Sequence, residues 1–222
     1  MDFKVKILLG LLMTLIISSC SNSKVLASWK SDNLNEIKNN KKLLVIARTD
    51  NNQARIAFEN QISQKLNDEG IKAVSSFSIL PSNLKIGKEL SEEQKAAFKE
   101  FMKVEGFDGV VLNVIKDLEE TTKTYSDGGY YVGATIPFYP NYYNGFYSYY
   151  YNPYSYSTFG NYVDRSTTTY TYKTYVLETV VYDLNQKDGS QLVAVVTSQI
   201  DNPRDVDKNA EEFAKKIMKS IE

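Results

Sequence analysis

The sequence contains no histidine and only one cysteine, Cys20. Without imidazole, the Ser-His-Asp and Cys-His arrangements and the usual catalytic zinc and non-haem iron ligand sets are excluded. A lone cysteine allows no intramolecular disulfide and no CxxC redox pair, so the fold must rest on its own core. Charge of either sign is not in excess: 26 lysines and arginines face 27 aspartates and glutamates, for a net charge of −1. With no basic cluster, nucleic acid is not an expected partner. No GxxxxGK[ST] or GxGxxG stretch follows an apolar run, so neither a nucleotide nor any other cofactor is expected.

Carboxylates are the remaining catalytic option. Asp117, Glu119 and Glu120 lie close together after one apolar run, and Glu178 and Asp183 lie on another that is a candidate neighbour. Two facing carboxylates are the arrangement that cleaves glycosides. The plainer reading is a solvated strand end with Glu178 opposite a lysine or threonine, and no enzymatic activity is expected. Arg55 and Glu59, at i,i+4 spacing, are expected to be a surface ion pair contributing ~0.3–0.5 kcal/mol.

The amino terminus carries Lys4 and Lys6 and then an apolar run from Ile7 to Ile17. A bilayer-spanning helix takes about 20 residues, and this shorter run fits the h-region of a secretory signal. It ends in Ile17-Ser18-Ser19-Cys20, which resembles the lipobox of bacterial lipoproteins. In that family the cysteine becomes the new first residue and carries thioether-linked and amide-linked acyl chains. The resemblance implies that residues 1–19 are a signal peptide and that Cys20 is lipidated, making the membrane a partner through its acyl chains. Several such chains, at ~0.8 kcal/mol per buried methylene, attach a protein durably. Ser21 rather than aspartate follows the cysteine, which by resemblance to Gram-negative sorting rules implies the outer membrane. No acidic run follows it, which implies the periplasmic face.

Residues 20–40 are mostly polar, apart from Val25-Leu26-Ala27 and Trp29, and read as a lipidated tether. A single domain is expected over 41–222. The run KKLLVIAR at Lys41–Arg48 predicts a buried central strand. Asp50-Asn51-Asn52 supplies an N-cap for a helix in which Ala54, Phe58, Ile62 and Leu66 recur at four-residue spacing before Gly70. Lys72–Phe77 reads as a second strand and Ser78–Leu90 as a loop. Ser91 and Gln94 form a capping-box pattern ahead of a helix with Ala97, Phe98, Phe101 and Met102 on one face. Phe107–Ile115 reads as a third strand, so the first strands are expected to be parallel.

Beyond it, Ile115–Tyr125 is extended and Arg165–Asp183 alternates with period two. Gln191–Gln199 completes a hairpin around the turn Asn185–Ser190. Asp205 or Asp207 caps a last helix with Ala210, Phe213, Ala214, Ile217, Met218 and Ile221 on one side. The fold expected is α/β: a sandwich of about five mixed parallel and antiparallel strands and three helices.

This run of motifs is similar to the small α/β domains of envelope lipoproteins, such as the amino-terminal domain of TolB and the periplasmic domain of the curli-secretion lipoprotein CsgG. It also resembles a set of uncharacterised Gram-negative lipoproteins. The similarity lies in KLLVIARTDNNQARIAFENQI, EGFDGVVLNVIKD and YVLETVVYDLNQKDGSQLVAVV, with a tyrosine-rich insert between the last two. It implies an envelope protein and, through CsgG, an oligomeric export-channel component as a second reading.

All 17 tyrosines lie between Tyr125 and Tyr182, and residues 128–163 carry no charge. This block is expected to be an insertion at the tip of a long β-hairpin. Tyrosine offers large, rigid, amphipathic area at little entropic cost. Tyr139, Tyr142, Tyr143, Tyr147, Tyr149, Tyr150, Tyr151, Tyr154 and Tyr156 are therefore candidates for a surface that contacts an envelope protein, a glycan or lipid headgroups. The other readings are a loop lying over the domain's own surface and a membrane-inserting hairpin. Pro137, Pro140 and Pro153 oppose the regular ladder that a membrane hairpin requires. The function expected is that of a non-catalytic interaction or assembly module of the envelope.

Overall fold

A computed structural model of the chain describes residues 22–38, 41–81, 84, 90–124, 145–151 and 169–221. Its strands are β1 (Ser23–Lys30), β2 (Lys42–Arg48), β3 (Lys72–Ser75), β4 (Gly109–Thr124), β5 (Thr169–Asp183) and β6 (Leu192–Asp201). They form one six-stranded sheet in the order β1-β6-β5-β4-β2-β3. The helices among the described residues are α1 (Leu34–Lys38), α2 (Asn52–Asp68), α3 (Ser76–Ile79), α4 (Glu92–Val104), α5 (Phe146–Tyr150) and α6 (Val206–Ile221). The α/β class is as expected. None of these helices is long and apolar enough to cross a membrane.

β2 pairs in parallel with both β3 and β4, while β1, β6, β5 and β4 are mutually antiparallel. From β2 the chain steps outward to β3 and then returns past β2 to β4. Crossovers of one hand taken in opposite directions place their helices on opposite faces of a sheet. Alternation along the strands separates the two cores accordingly. Leu43, Val45 and Val111 join Ile62 and Leu66 of α2 and Phe213 and Ile217 of α6. Leu44, Ile46, Val110 and Leu112 join Phe98 and Met102 of α4 and the aromatic residues of α5.

The expected helix signals act as read. Asn51 Oδ1 accepts from Ala54 N–H at 3.0 Å, and the Ser91/Gln94 capping box is closed in both directions. Asp205 is the cap of α6, accepting from Lys208 N–H at 3.0 Å. Ala97, expected on the buried face of α4, is exposed, and that face is narrower than the spacing implied. The Lys72–Phe77 strand ends at Ser75, where the chain turns into α3.

Two further differences concern the ends of the domain. The segment expected to be a tether contributes edge strand β1, paired with β6 from Ser23↔Ile200 to Lys30↔Ala194, and helix α1, which buries Leu34 and Ile37. Its backbone is held by the ladder with β6 while Leu26 and Trp29 stay about half exposed, so period-two burial is missing from its sequence. In addition, the third strand and the extended stretch expected from Ile115 are one strand, β4, which runs past a register shift between Ile115 and Asp117 to pair Thr124 with Thr169. These arms are the expected long hairpin. Cys20 and the signal segment, and Tyr139, Tyr142, Tyr143, Tyr154 and Tyr156, lie outside the described residues.

Candidate functional site

A cleft of about 280 Å³ opens where the parallel strands β2 and β4 end, between the first turns of α2 and α6. Ligands of open α/β sheets characteristically bind beyond the carboxyl ends of the strands, where helix starts and strand ends leave a crevice. Here Ala47, Ala54, Phe58, Ile115, Leu177 and Ile200 make an apolar wall, with Tyr175, Pro203 and Val206 towards the same end. Three asparagines lining it engage the protein itself. Asn51 caps α2, Asn113 Oδ1 accepts from Thr179 Oγ1 at 2.7 Å, and Asn209 Nδ2 donates to Asp205 O. Arg48 lines the cleft but places its guanidinium 4.8 Å from the ring centre of Tyr150, within the core of the opposite face. No carboxylate lines the cleft.

The carboxylates expected as a catalytic option are distributed otherwise. Glu178 stands opposite Val114 on β4 and Thr197 on β6, takes a hydrogen bond from Tyr149 Oη and pairs with Lys116 Nζ at 3.2 Å. The threonine and lysine neighbours are those expected, but the strand end is not solvated: Glu178, Asp117 and Asp183 are all buried. Glu120 pairs with Lys173 across the hairpin at 2.7 Å, and Asp183 pairs with Lys41 at the other end of the sheet. Asp117 is buried, and loss of water raises its carboxyl above the usual range. The Leu118 N–H opposes that rise and the Glu119 charge adds to it. Among the described residues no cluster of three or more Asp, Glu or Cys side chains is placed to hold a metal.

Arg55 and Glu59 are not at the surface. Glu59 is fully buried and Arg55 nearly so. The Glu59 carboxylate accepts from Ala47 N, Arg55 Nε and Ser76 Oγ through one oxygen, and from Ser75 Oγ and Phe77 N through the other, at 2.7–3.0 Å. It therefore ties the end of β2, which forms the cleft wall, to α2 and to the β3–α3 junction. The sequence spacing gave the pair. The serines at the end of β3 were the signal that the acid has enough donors to be buried.

The tyrosine block divides. Tyr149 and Tyr150 are buried beneath α5 and belong to the core rather than to a contact surface. Tyr150 stacks on Phe98 at 5.1 Å, and Phe146 packs against Tyr182 at 5.6 Å. Gly145 starts α5 at φ +92°, a conformation suited to glycine, and Phe146 N–H donates to Gln191 Oε1 at 3.2 Å. Tyr147 and Tyr151 are partly buried, and Tyr151 Oη donates to Lys95 O at 3.0 Å. Each of these four rings has a cation beside it: Lys99 at Tyr147, Lys116 at Tyr149, Arg48 at Tyr150 and Lys95 at Tyr151. Such contacts contribute ~0.5–1 kcal/mol each at exposed sites. The i, i+3, i+4 spacing of Phe146, Tyr149 and Tyr150 is the sequence signal of this buried helix.

No protein-family model matches the sequence, and no curated protein matches it. Among solved structures, the chain is similar to a PelC dodecamer from Paraburkholderia phytofirmans at 10% identity and a TM-score of 0.44, covering 90% of this chain and 96% of that one. A methionine-substituted PelC dodecamer from the same organism gives 11% identity, a TM-score of 0.38, and coverages of 88% and 94%.

Proposed function

We propose that the chain is an envelope lipoprotein, acylated at Cys20, whose domain is seated against the membrane as a non-catalytic interaction or assembly module. The observation that carries this reading is the short distance between the lipobox and the fold. β1 begins at Ser23, and Asn22 O already accepts from Asp201 N–H at 2.7 Å. Cys20 lies three positions before Ser23, a reach of roughly 10 Å at ~3.3–3.6 Å per residue. An anchor so placed fixes which end of the sheet meets the bilayer.

That end also holds the arms of the β4–β5 hairpin, since Ser23, Ile200, Tyr175 and Leu118 form one row across four strands. The hairpin continues past that row to Thr124↔Thr169, so both arms of the tyrosine-rich insertion leave from the membrane end. With Tyr149 and Tyr150 assigned to the core and Tyr147 and Tyr151 packed against it, Tyr139, Tyr142, Tyr143, Tyr154 and Tyr156 are the remaining candidates for contact with an envelope protein or glycan. Non-catalytic action is supported by the engagement of Glu178, Glu120 and Asp183 with lysines, away from the cleft. The location favoured is the periplasmic face of the outer membrane.

The test is metabolic labelling with a palmitate analogue. Wild type should be tagged and Cys20→Ala should not. Equal labelling of the two ends the reading.

A further inference from the structure

We propose that the cleft between the first turns of α2 and α6 accepts one hydrocarbon chain of a bilayer lipid. The proposal deepens the anchoring reading above and rests on it for the source of the ligand.

The chemistry of the walls sets the ligand class. Phe58, Ile115, Leu177, Ile200 and Val206 present carbon to the space, whereas Asn51, Asn113 and Asn209 have turned their amides onto the chain itself. The one charged lining residue, Arg48, directs its guanidinium to the Tyr150 ring in the other core. With Arg48 turned away and no other charged side chain in the lining, a phosphate or nucleotide would enter without a side-chain counter-charge. An alkyl chain requires none. At about 280 Å³ the cleft falls just below the ~300–1,000 Å³ range of ligand pockets, which suits one chain and not a whole lipid.

Position sets the source. Ile200 lines the cleft and is also the residue opposite Ser23, where β1 begins. With Cys20 acylated, the anchoring residue lies within about 10 Å of Ser23, the strand partner of Ile200 on the cleft wall. Tethering of that kind raises the local concentration of bilayer chains far above anything in free solution. Exchange of a chain between bilayer and cleft costs little, since both are apolar, and it removes the cleft wall from water. A seated chain gives the domain a second point of attachment and so fixes its tilt.

The experiment uses the full acylated protein in phosphatidylcholine vesicles whose lipid carries a photoactivatable diazirine near the end of one chain. After irradiation and proteolysis, crosslinks are expected on the peptides spanning 47–58 and 200–209. Ala54→Trp, which fills the mouth from α2, should lower their yield at least tenfold while leaving the melting temperature near that of wild type. Should Ala54→Trp fail to fold, Val206→Phe fills the same space from α6. Absence of crosslinks on these peptides, or an unchanged yield in a folded filled variant, overturns the proposal. So does labelling that comes only from a diazirine carried on the protein's own acyl chains. The acylation state of Cys20 is read by mass spectrometry on the same sample. An unacylated cysteine refutes the anchor, whereas an acylated protein without cleft crosslinks refutes the cleft assignment alone.

Discussion

Replacing Glu59 by glutamine is the sharpest perturbation of this fold. The side chain keeps its volume but exchanges one acceptor oxygen for an amide that only donates. Whichever way the amide is turned, a backbone N–H loses its acceptor: Ala47 on one side or Phe77 on the other. Arg55, nearly buried, is at the same time left without its counter-charge. A hydrogen bond to a charged group contributes about 1.5–3 kcal/mol, and removing one member of a buried ion pair costs about 3–5 kcal/mol. The expected loss is therefore about 3–5 kcal/mol, a large part of the ~5–15 kcal/mol that holds a typical domain together. An exposed pair at the same spacing would cost only ~0.3–0.5 kcal/mol. Urea denaturation of wild type and Glu59→Gln separates the two cases, with the shift of midpoint read at constant slope. A double-mutant cycle with Arg55→Met then reports the coupling. A loss under ~1 kcal/mol would refute the buried-network account.

The α5 segment gives two further tests by denaturant midpoint. Tyr150→Ala should cost about 3–5 kcal/mol as a truncation of a fully buried ring, and Tyr149→Phe about 1.5–3 kcal/mol through loss of the hydrogen bond to Glu178. If these tyrosines formed a contact surface, both changes would be nearly silent. Alkaline pH should loosen the same region. Burial, and then the charge of Asp188, pushes the Tyr147 hydroxyl up to about 12, and burial also raises Tyr150 and Tyr151. The folded state thus holds these protons more tightly than the unfolded one, where tyrosine titrates near pH ~10. Their contribution is complete below that value; that of Tyr147 is lost as pH rises through about 12 and those of Tyr150 and Tyr151 at higher pH still, and Tyr147→Phe should flatten the decline in unfolding free energy. Asp117 bears on the carboxylates. Burial raises its carboxyl, so its stabilising contribution is present in acid, below the unfolded value, and is lost as pH rises through the folded one. Asp117→Asn should be at least as stable as wild type at neutral pH, with the difference disappearing in acid. A destabilised variant at neutral pH would mean that the charge has a partner.

Helix α6 was legible residue by residue, because a long amphipathic helix on a sheet leaves a complete stripe: Ala210, Phe213, Ala214, Ile217, Met218 and Ile221 are all buried. The capping residues of α2 and α4 were equally readable, since a cap depends on neighbours in sequence. Strand β1 was not. It is an edge strand whose pairing uses backbone groups, and Leu26 and Trp29 on it remain exposed, so its residues carry no burial period. The burial of Glu59 was hidden for a related reason. Its donors come from three elements, and only the folded topology brings Ala47, Ser75 and Phe77 to one carboxylate. The cleft was not legible: Ala54 and Phe58 read only as the apolar stripe of α2, not as a wall. Its far wall, from Pro203 to Asn209, depends on where α6 lands.

The tyrosine block shows how composition can conceal core residues in a stretch that reads as surface. Phe146, Tyr149 and Tyr150 close the α4 face of the sheet, which β4 and β5 would otherwise expose over Val110, Leu112, Val180 and Tyr182. Removing residues 128–163 whole would therefore uncover that core and report on folding, not on partners. The informative change replaces 130–143 and 154–162 with serine and glycine while keeping Gly145–Tyr151. Both replaced segments are joined to the sheet through Thr124 and Thr169, beyond the row of Ser23, Ile200 and Tyr175 that also borders the cleft. The start of β1, the cleft and the two arms of the hairpin thus meet at one end of the sheet.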